Sequence, residues 1–174
     1  NLELCETLRE KQKRGSLLWV LDKTKTAMGA RNLRKYIEQP LVQKYDIEKR
    51  LDALNELLDN AISREEIREY LSPIYDLERL ITRVTYMSAN PRDLIAFKNS
   101  IGMLPPIKTL LEDFDTELLK EIQTDMDSLE ELYQLIDASI MEEPPISVRE
   151  GGLIKDGYNE NVDKYRHAKT EGKT

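Results

Sequence analysis

The 174-residue chain is short of the residues on which most site chemistry depends, with one cysteine, one histidine, one tryptophan and two phenylalanines. The single Cys5 excludes an intramolecular disulfide and fits a reducing compartment. The single His167 excludes a histidine-pair metal site, and nothing beside either residue activates a cysteine nucleophile with a histidine base. No apolar run approaches the roughly 20 residues of a membrane-spanning helix, and no signal-peptide pattern opens the chain, so a cytoplasmic protein is expected. Glycine is also scarce. Three of the seven, Gly151, Gly152 and Gly157, cluster, but Tyr158 and Asn159 follow Gly157 where a phosphate-binding loop needs a lysine and a hydroxyl. A glycine turn is the reading there.

What the chain has in quantity is charge and helical period. Its length is enough to bury about 70% of the unfolded surface without staples. The net charge of −7 is uneven: nine basic and two acidic residues between Arg9 and Lys35 make that stretch +7, against −14 elsewhere. Such asymmetry marks Lys11, Lys13, Arg14, Lys23, Lys25, Arg31, Arg34 and Lys35 as candidates for weak nucleic-acid backbone or interdomain contacts. A solvated helix face with a basic loop at Lys11 to Arg14 explains them equally well. A net acidic domain does not grip DNA strongly by charge alone.

Along the chain, NLEL at its start alternates and is read as an edge strand. Ser16 is expected to cap a short helix on Leu17 to Leu21 that Asp22 ends, with Trp19 as a buried anchor. Thr24 or Thr26 caps a second, with Ala27, Ala30, Leu33 and Ile37 inward and Pro40 as its stop. Gly29 inside it reads as a point of close backbone approach. Asp46 caps a third, whose Ile47, Leu51, Leu54, Leu58 and Ala61 read as a core face. Ser63 with Glu66 fits a capping box, and Ser72 and Pro73 break that helix and open the next, with Ile74, Leu77, Leu80, Ile81 and Val84 inward. Asn90 and Pro91 repeat the cap-then-proline start. Pro105 and Pro106 read as a corner before a helix on Ile107, Leu110 and Leu111. Two further amphipathic helices cover 115–126 and 128–141. Residues 146–158 read as a loop with one or two short strands able to pair with NLEL, before a last helix capped by Asn159 with Val162, Tyr165 and Ala168 on one side. Tyr36, Tyr70, Tyr75, Tyr86 and Tyr133 read as core edges, and His167 as a helix-surface residue. The fold class is therefore all-α, an irregular multi-helix bundle with one or two short strands near the N-terminus and around 146–158.

The phrase LDKTKTAMG, with the arginine and IEQPL that follow, resembles the opening of the core domain of MutS-family DNA mismatch repair proteins. NLEL (1–4), RLDALNELL (50–58), IYDLERLITRV (74–84), ANPRDLIAFK (89–98) and VREGGLIKDGYNE (148–160) resemble further family segments in family order. The resemblance implies a first part of the core, or lever, domain over 1–174, with a last helix at 159–174 that runs toward an inserted DNA clamp. The chain starts at Asn1 without methionine and stops at Thr174 within a helical pattern, so a piece of a longer protein is expected. It lacks the mismatch-probing Phe-x-Glu element, since Asn99 and Thr116 stand two residues after Phe97 and Phe114, and it lacks the ATPase phosphate loop.

By that resemblance the fragment has no catalytic residue, cofactor or metal, while the parent uses ATP and Mg to couple mismatched-DNA binding to its ATPase. Expected partners are DNA through the parent's other domains, its own clamp and ATPase domains, and a second parent copy in a homodimer, in the bacterial nucleoid. The last ten residues are expected to fray or to pair with another copy. Alternatives are a MutS relative acting in recombination or ribosome rescue, and a free-standing helical scaffold for protein partners.

Overall fold

A computed structural model describes residues 2–171, which are predominantly helical. Numbered in chain order, the α-helices are α1 (Leu17–Leu21), α2 (Ala27–Glu38), α3 (Lys44–Asp59), α4 (Ala61–Leu71), α5 (Leu77–Thr85), α6 (Pro91–Ile101), α7 (Leu104–Leu111), α8 (Glu117–Asp125), α9 (Glu130–Ser139) and α10 (Glu160–Glu171). A 3-10 turn covers Val148–Glu150. The expected strands are absent among the described residues. NLEL instead lends carbonyls to the start of α1, where the Leu17 and Leu18 amides donate to Glu3 and Leu4 at 3.2 and 2.8 Å. Around 146–158 there is only an isolated antiparallel bridge, Ile154 with Ile140 at the end of α9. A four-residue alternating run becomes a strand only where a neighbour offers a ladder. Here the helix start takes those carbonyls.

Several helix starts follow from local chemistry. Ser16 Oγ accepts from the Trp19 amide at 3.2 Å, and Thr26 Oγ1 accepts from the Gly29 amide at 2.9 Å, each satisfying one of the orphan donors of a first turn. Thr24 does not cap, because its hydroxyl donates to Asp22 at 2.6 Å. Asn90 and Asp93 form a reciprocal capping box ahead of α6, with Pro91 in the first turn. Gly29 does mark a close approach, but to its own cap: a Cβ there would sit 3.0 Å from Thr26 Oγ1. Three helices begin earlier than expected, whereas α5 begins later, at Leu77 rather than at Ser72 and Pro73, and α8 and α9 begin at Glu117 and Glu130 rather than at 115 and 128. α3 starts at Lys44 with Asp46 in its first turn, α4 follows Asn60 directly with Ser63 inside it, and Pro105 and Pro106 lie in the first turn of α7 rather than in a corner before it.

The chain divides into two compact units, Asn1–Glu78 with Met103–Ser128, and Arg79–Gly102 with Leu129–Thr174. In the first, α3 packs on α4 and α8, and α7 on α4 and α8, around Ala53, Ile74, Ile107, Leu111, Phe114 and Leu119. Phe114 is fully buried. In the second, α6 packs on α9, with Leu80, Ile101, Ile136 and Ile140 buried. Lys98 is also buried there; its ammonium donates to Asp137 at 2.9 Å and lies 5.8 Å from the centre of the Tyr133 ring. The pairing removes the cost of an isolated buried charge.

Candidate functional site

Two surfaces of the first unit stand out: the basic segment flagged by charge, and an apolar face that the sequence placed in the core. The eight candidate cations fall on the N-terminal turns, the α1–α2 connection and α2, and all eight are exposed. Three are committed internally. Lys13 pairs with Asp22, Arg31 forks onto both oxygens of Asp76 at 2.7 Å and also reaches Glu78, and Arg34 pairs with Glu38 at 2.8 Å one helical turn on. The hydrogen bond from Lys13, then that from the Thr24 hydroxyl, pulls the Asp22 carboxyl down to about 2. Arg31 is raised above its ordinary value by Asp76 first and Glu78 second. Lys23 contributes a carbonyl to the Arg68 guanidinium at 3.2 Å. Lys11, Arg14, Lys25 and Lys35 extend this exposed cationic surface.

Of the partners that bind these cations, only Glu38 was legible in advance, from its i,i+4 spacing to Arg34. Asp76 and Glu78 lie 45 and 47 residues from Arg31, a separation no local pattern reveals. Cys5 is partly buried; burial first, then a hydrogen bond with the Glu38 carboxylate, raises its thiol pKa and keeps it protonated. That environment opposes nucleophilic chemistry.

The second surface corrects the expected core face of α3. Ala53 is buried and Leu57 packs against the core, yet Ile47, Leu51, Leu54 and Leu58 are 38%, 50%, 51% and 56% exposed, and Ile62 at the start of α4 is 80% exposed. α3 therefore carries two apolar faces, of which this chain covers one. Trp19, expected as a buried anchor, is 48% exposed among Leu17, Val20 and Leu21, because Leu18 is the residue α1 turns inward. On α5, Ile81 and Val84 likewise face out while Leu80 is buried, and Tyr75 and Tyr86 are exposed rather than core edges. Tyr36 is also exposed, with the Arg50 guanidinium 3.7 Å from its ring centre.

A cleft of about 200 Å³ between α3 and α8 is lined by Tyr45, Glu48, Lys49, Asp52, Thr116 and Glu117. Three of its polar groups are joined: the Tyr45 hydroxyl donates to Glu117 at 2.6 Å, and Lys49 reaches Glu117 at 3.1 Å and the neighbouring Glu121 at 2.6 Å. Tyr45 first and Lys49 second lower the Glu117 carboxyl. The cleft is a seam between two helices. Among the described residues no group of three or more His, Cys, Asp and Glu side chains is arranged to hold a metal ion, and no helix is long and apolar enough to cross a membrane.

The comparisons with known proteins bear on what these surfaces serve. The chain is 65% identical over 173 residues to the DNA mismatch repair protein MutS of Lachnoclostridium phytofermentans, covering 99% of this chain and 19% of that protein. It is 55% identical to the protein of the same name from Ruminiclostridium cellulolyticum and 53% identical to that from Acetivibrio thermocellus, in each case over 99% of this chain and 20% of the relative. The chain thus spans about a fifth of the length of these relatives. A family model described as MutS domain III matches residues 1–171, and the chain belongs to that family.

Proposed function

We propose that this chain is the structural core, or lever, part of a DNA mismatch repair protein, linking the parent's DNA-gripping clamp to its ATPase and carrying no catalysis itself. The observation that carries the reading is the uncovered apolar stripe of α3, Ile47, Leu51, Leu54 and Leu58, beside the buried core around Phe114. A contiguous apolar face of this kind is a seat for further protein, and the relatives' greater length leaves about four-fifths of a parent chain to supply it. Coupling between distant sites needs elements that move as units between discrete arrangements, a role suited to cores as tightly packed as that around Phe114. ATP and Mg bind the parent's ATPase. DNA is engaged through the parent's other domains, in a homodimer. The relatives' names favour mismatch repair over recombination or ribosome rescue.

The basic segment adds nonspecific attraction to the DNA backbone through the exposed Lys11, Arg14, Lys25 and Lys35. The test is titration of this chain with matched and mismatched duplexes at two salt concentrations, with ATP hydrolysis followed in the same samples. The expected result is no hydrolysis, with weak binding that ignores the mismatch and fades with salt. Tight mismatch-selective binding, or turnover above background, overturns the proposal.

A further inference from the structure

α5 ends in a turn that holds a residue type its backbone does not favour. The Met87 amide donates to the Val84 carbonyl at 2.9 Å and the Ser88 amide to the Arg83 carbonyl at 2.8 Å, the two closing bonds of a helix stopped by one left-handed residue. Met87 is that residue, with φ at 52°. Glycine is the usual occupant of the position, because an L side chain there crowds its own backbone. Met87 gains no packing in return: it is 95% exposed, and Tyr86 beside it 78%.

The turn is held by other groups. The Arg83 carbonyl also accepts from the Ala89 amide at 3.1 Å and from Ser88 Oγ at 3.2 Å. On the far side, Asp93 of the α6 capping box accepts from the Arg83 guanidinium at 2.9 Å. None of these bonds involves the Met87 side chain. The other four of the five methionines are placed differently: Met28, Met103 and Met126 pack against the core cluster around Phe114, and Met141, after α9, is 41% exposed.

A strained residue that repays nothing in packing points to chemistry rather than to the fold. We propose that Met87 is a reversible oxidation site, taking one oxygen from a peroxide and returning to the thioether through a thiol-dependent sulfoxide reductase. A sulfur lone pair attacks one peroxide oxygen, so that an S–O bond forms as the O–O bond breaks. The thioether loses two electrons and becomes a sulfoxide; the departing hydroxide takes the proton of the transferred oxygen and leaves as water. In the return step two thiols become a disulfide, and the sulfoxide oxygen leaves as water. Exposure sets which methionine reacts first. Because the Met87 side chain packs on nothing, its sulfoxide forms with the turn intact, whereas a sulfoxide at Met28, Met103 or Met126 places a polar group against the core. This stands apart from the reading of the parent protein: it concerns only the turn after α5.

The test exposes the 174-residue chain to hydrogen peroxide and follows each methionine by mass spectrometry of its peptides, with urea midpoints measured on the same samples. The expected result is a Met87 sulfoxide that accumulates ahead of that at Met141 and at least about fivefold faster than those at Met28, Met103 and Met126, which react through local opening. The chain oxidised at Met87 alone keeps the urea midpoint of the untreated chain. Methionine sulfoxide reductases for the two sulfoxide epimers, supplied with dithiothreitol, restore the thioether. Met87→Gly removes the fast-forming sulfoxide and raises the urea midpoint by relieving the left-handed backbone. Oxidation of Met87 no faster than that of the packed methionines overturns the proposal, as does a Met87 sulfoxide that lowers the midpoint or that the reductases leave in place. A Met87→Gly chain with a lowered midpoint also overturns it, since the side chain is then part of the fold.

Discussion

Glu56 stands on α3, yet its carboxylate accepts from the amides of Asp115 and Thr116 at 2.6 and 2.9 Å and from the Thr116 hydroxyl at 2.5 Å. Thr116 sits where α8 needs a cap and makes no side-chain cap of its own, so Glu56 satisfies that helix start from across the unit. Burial is the largest single influence on this carboxyl and raises its pKa, but the three hydrogen bonds and Lys120 together outweigh it, and the net direction is down. A lowered folded-state pKa contributes stability that is present above the unfolded value, near 4.5, and is lost as pH falls through the folded one. Glu56→Gln is therefore expected to cost about 1–2 kcal/mol at pH 7, the range for losing a cap and a charged hydrogen bond. Urea midpoints read this directly, and the gap between variant and parent narrows at pH 3. Asp22 supplies a second pH test. Its carboxyl titrates at about 2, and Lys13→Ala raises it toward the ordinary value, as followed by carboxyl carbon chemical shifts. The half-exposed lysine makes its effect on global stability small.

At the scale of helices, the sequence was readable wherever the determinant is local. Ser16, Thr26 and the Asn90–Pro91 pair cap the helices expected of them because a hydroxyl or carboxamide meets an amide two or three residues on. Which face of a helix turns inward was not readable where both faces are apolar. On α3 the small Ala53 permits the close approach of neighbouring helices, whereas the larger Leu51, Leu54 and Leu58 gave the stronger periodic signal and lie outside. The Arg31 fork was hidden for the related reason that Asp76 and Glu78 are remote in sequence. This contrast is measurable. Leu54→Glu is expected to change the stability of this chain by no more than about 0.5 kcal/mol, as at an ordinary surface position. Phe114→Ala removes a fully buried ring and costs about 3–5 kcal/mol. Denaturant unfolding of both variants decides whether the stripe is surface; a Leu54→Glu loss comparable with Phe114→Ala would return it to the core.

Across the whole molecule, the polypeptide passes between its two units three times, after Glu78, Gly102 and Ser128, and each unit keeps its own buried set. The cluster on Phe114, Leu111, Ile107 and Leu119 lies wholly in the first; Ile101, Ile136, Ile140 and the Lys98–Asp137 pair lie in the second. Substitutions without shared partners act independently, so damage to one core should be felt first within its own unit. Ile101→Ala removes most of a fully buried side chain from the second unit and costs about 2–5 kcal/mol there. Amide exchange in that variant is expected to quicken in α6 and α9 while the Leu111 and Phe114 amides keep their rates. Equal acceleration throughout would show one cooperative body. Separate responses would give this chain two elements that can shift as units, which a domain that transmits a change of state requires.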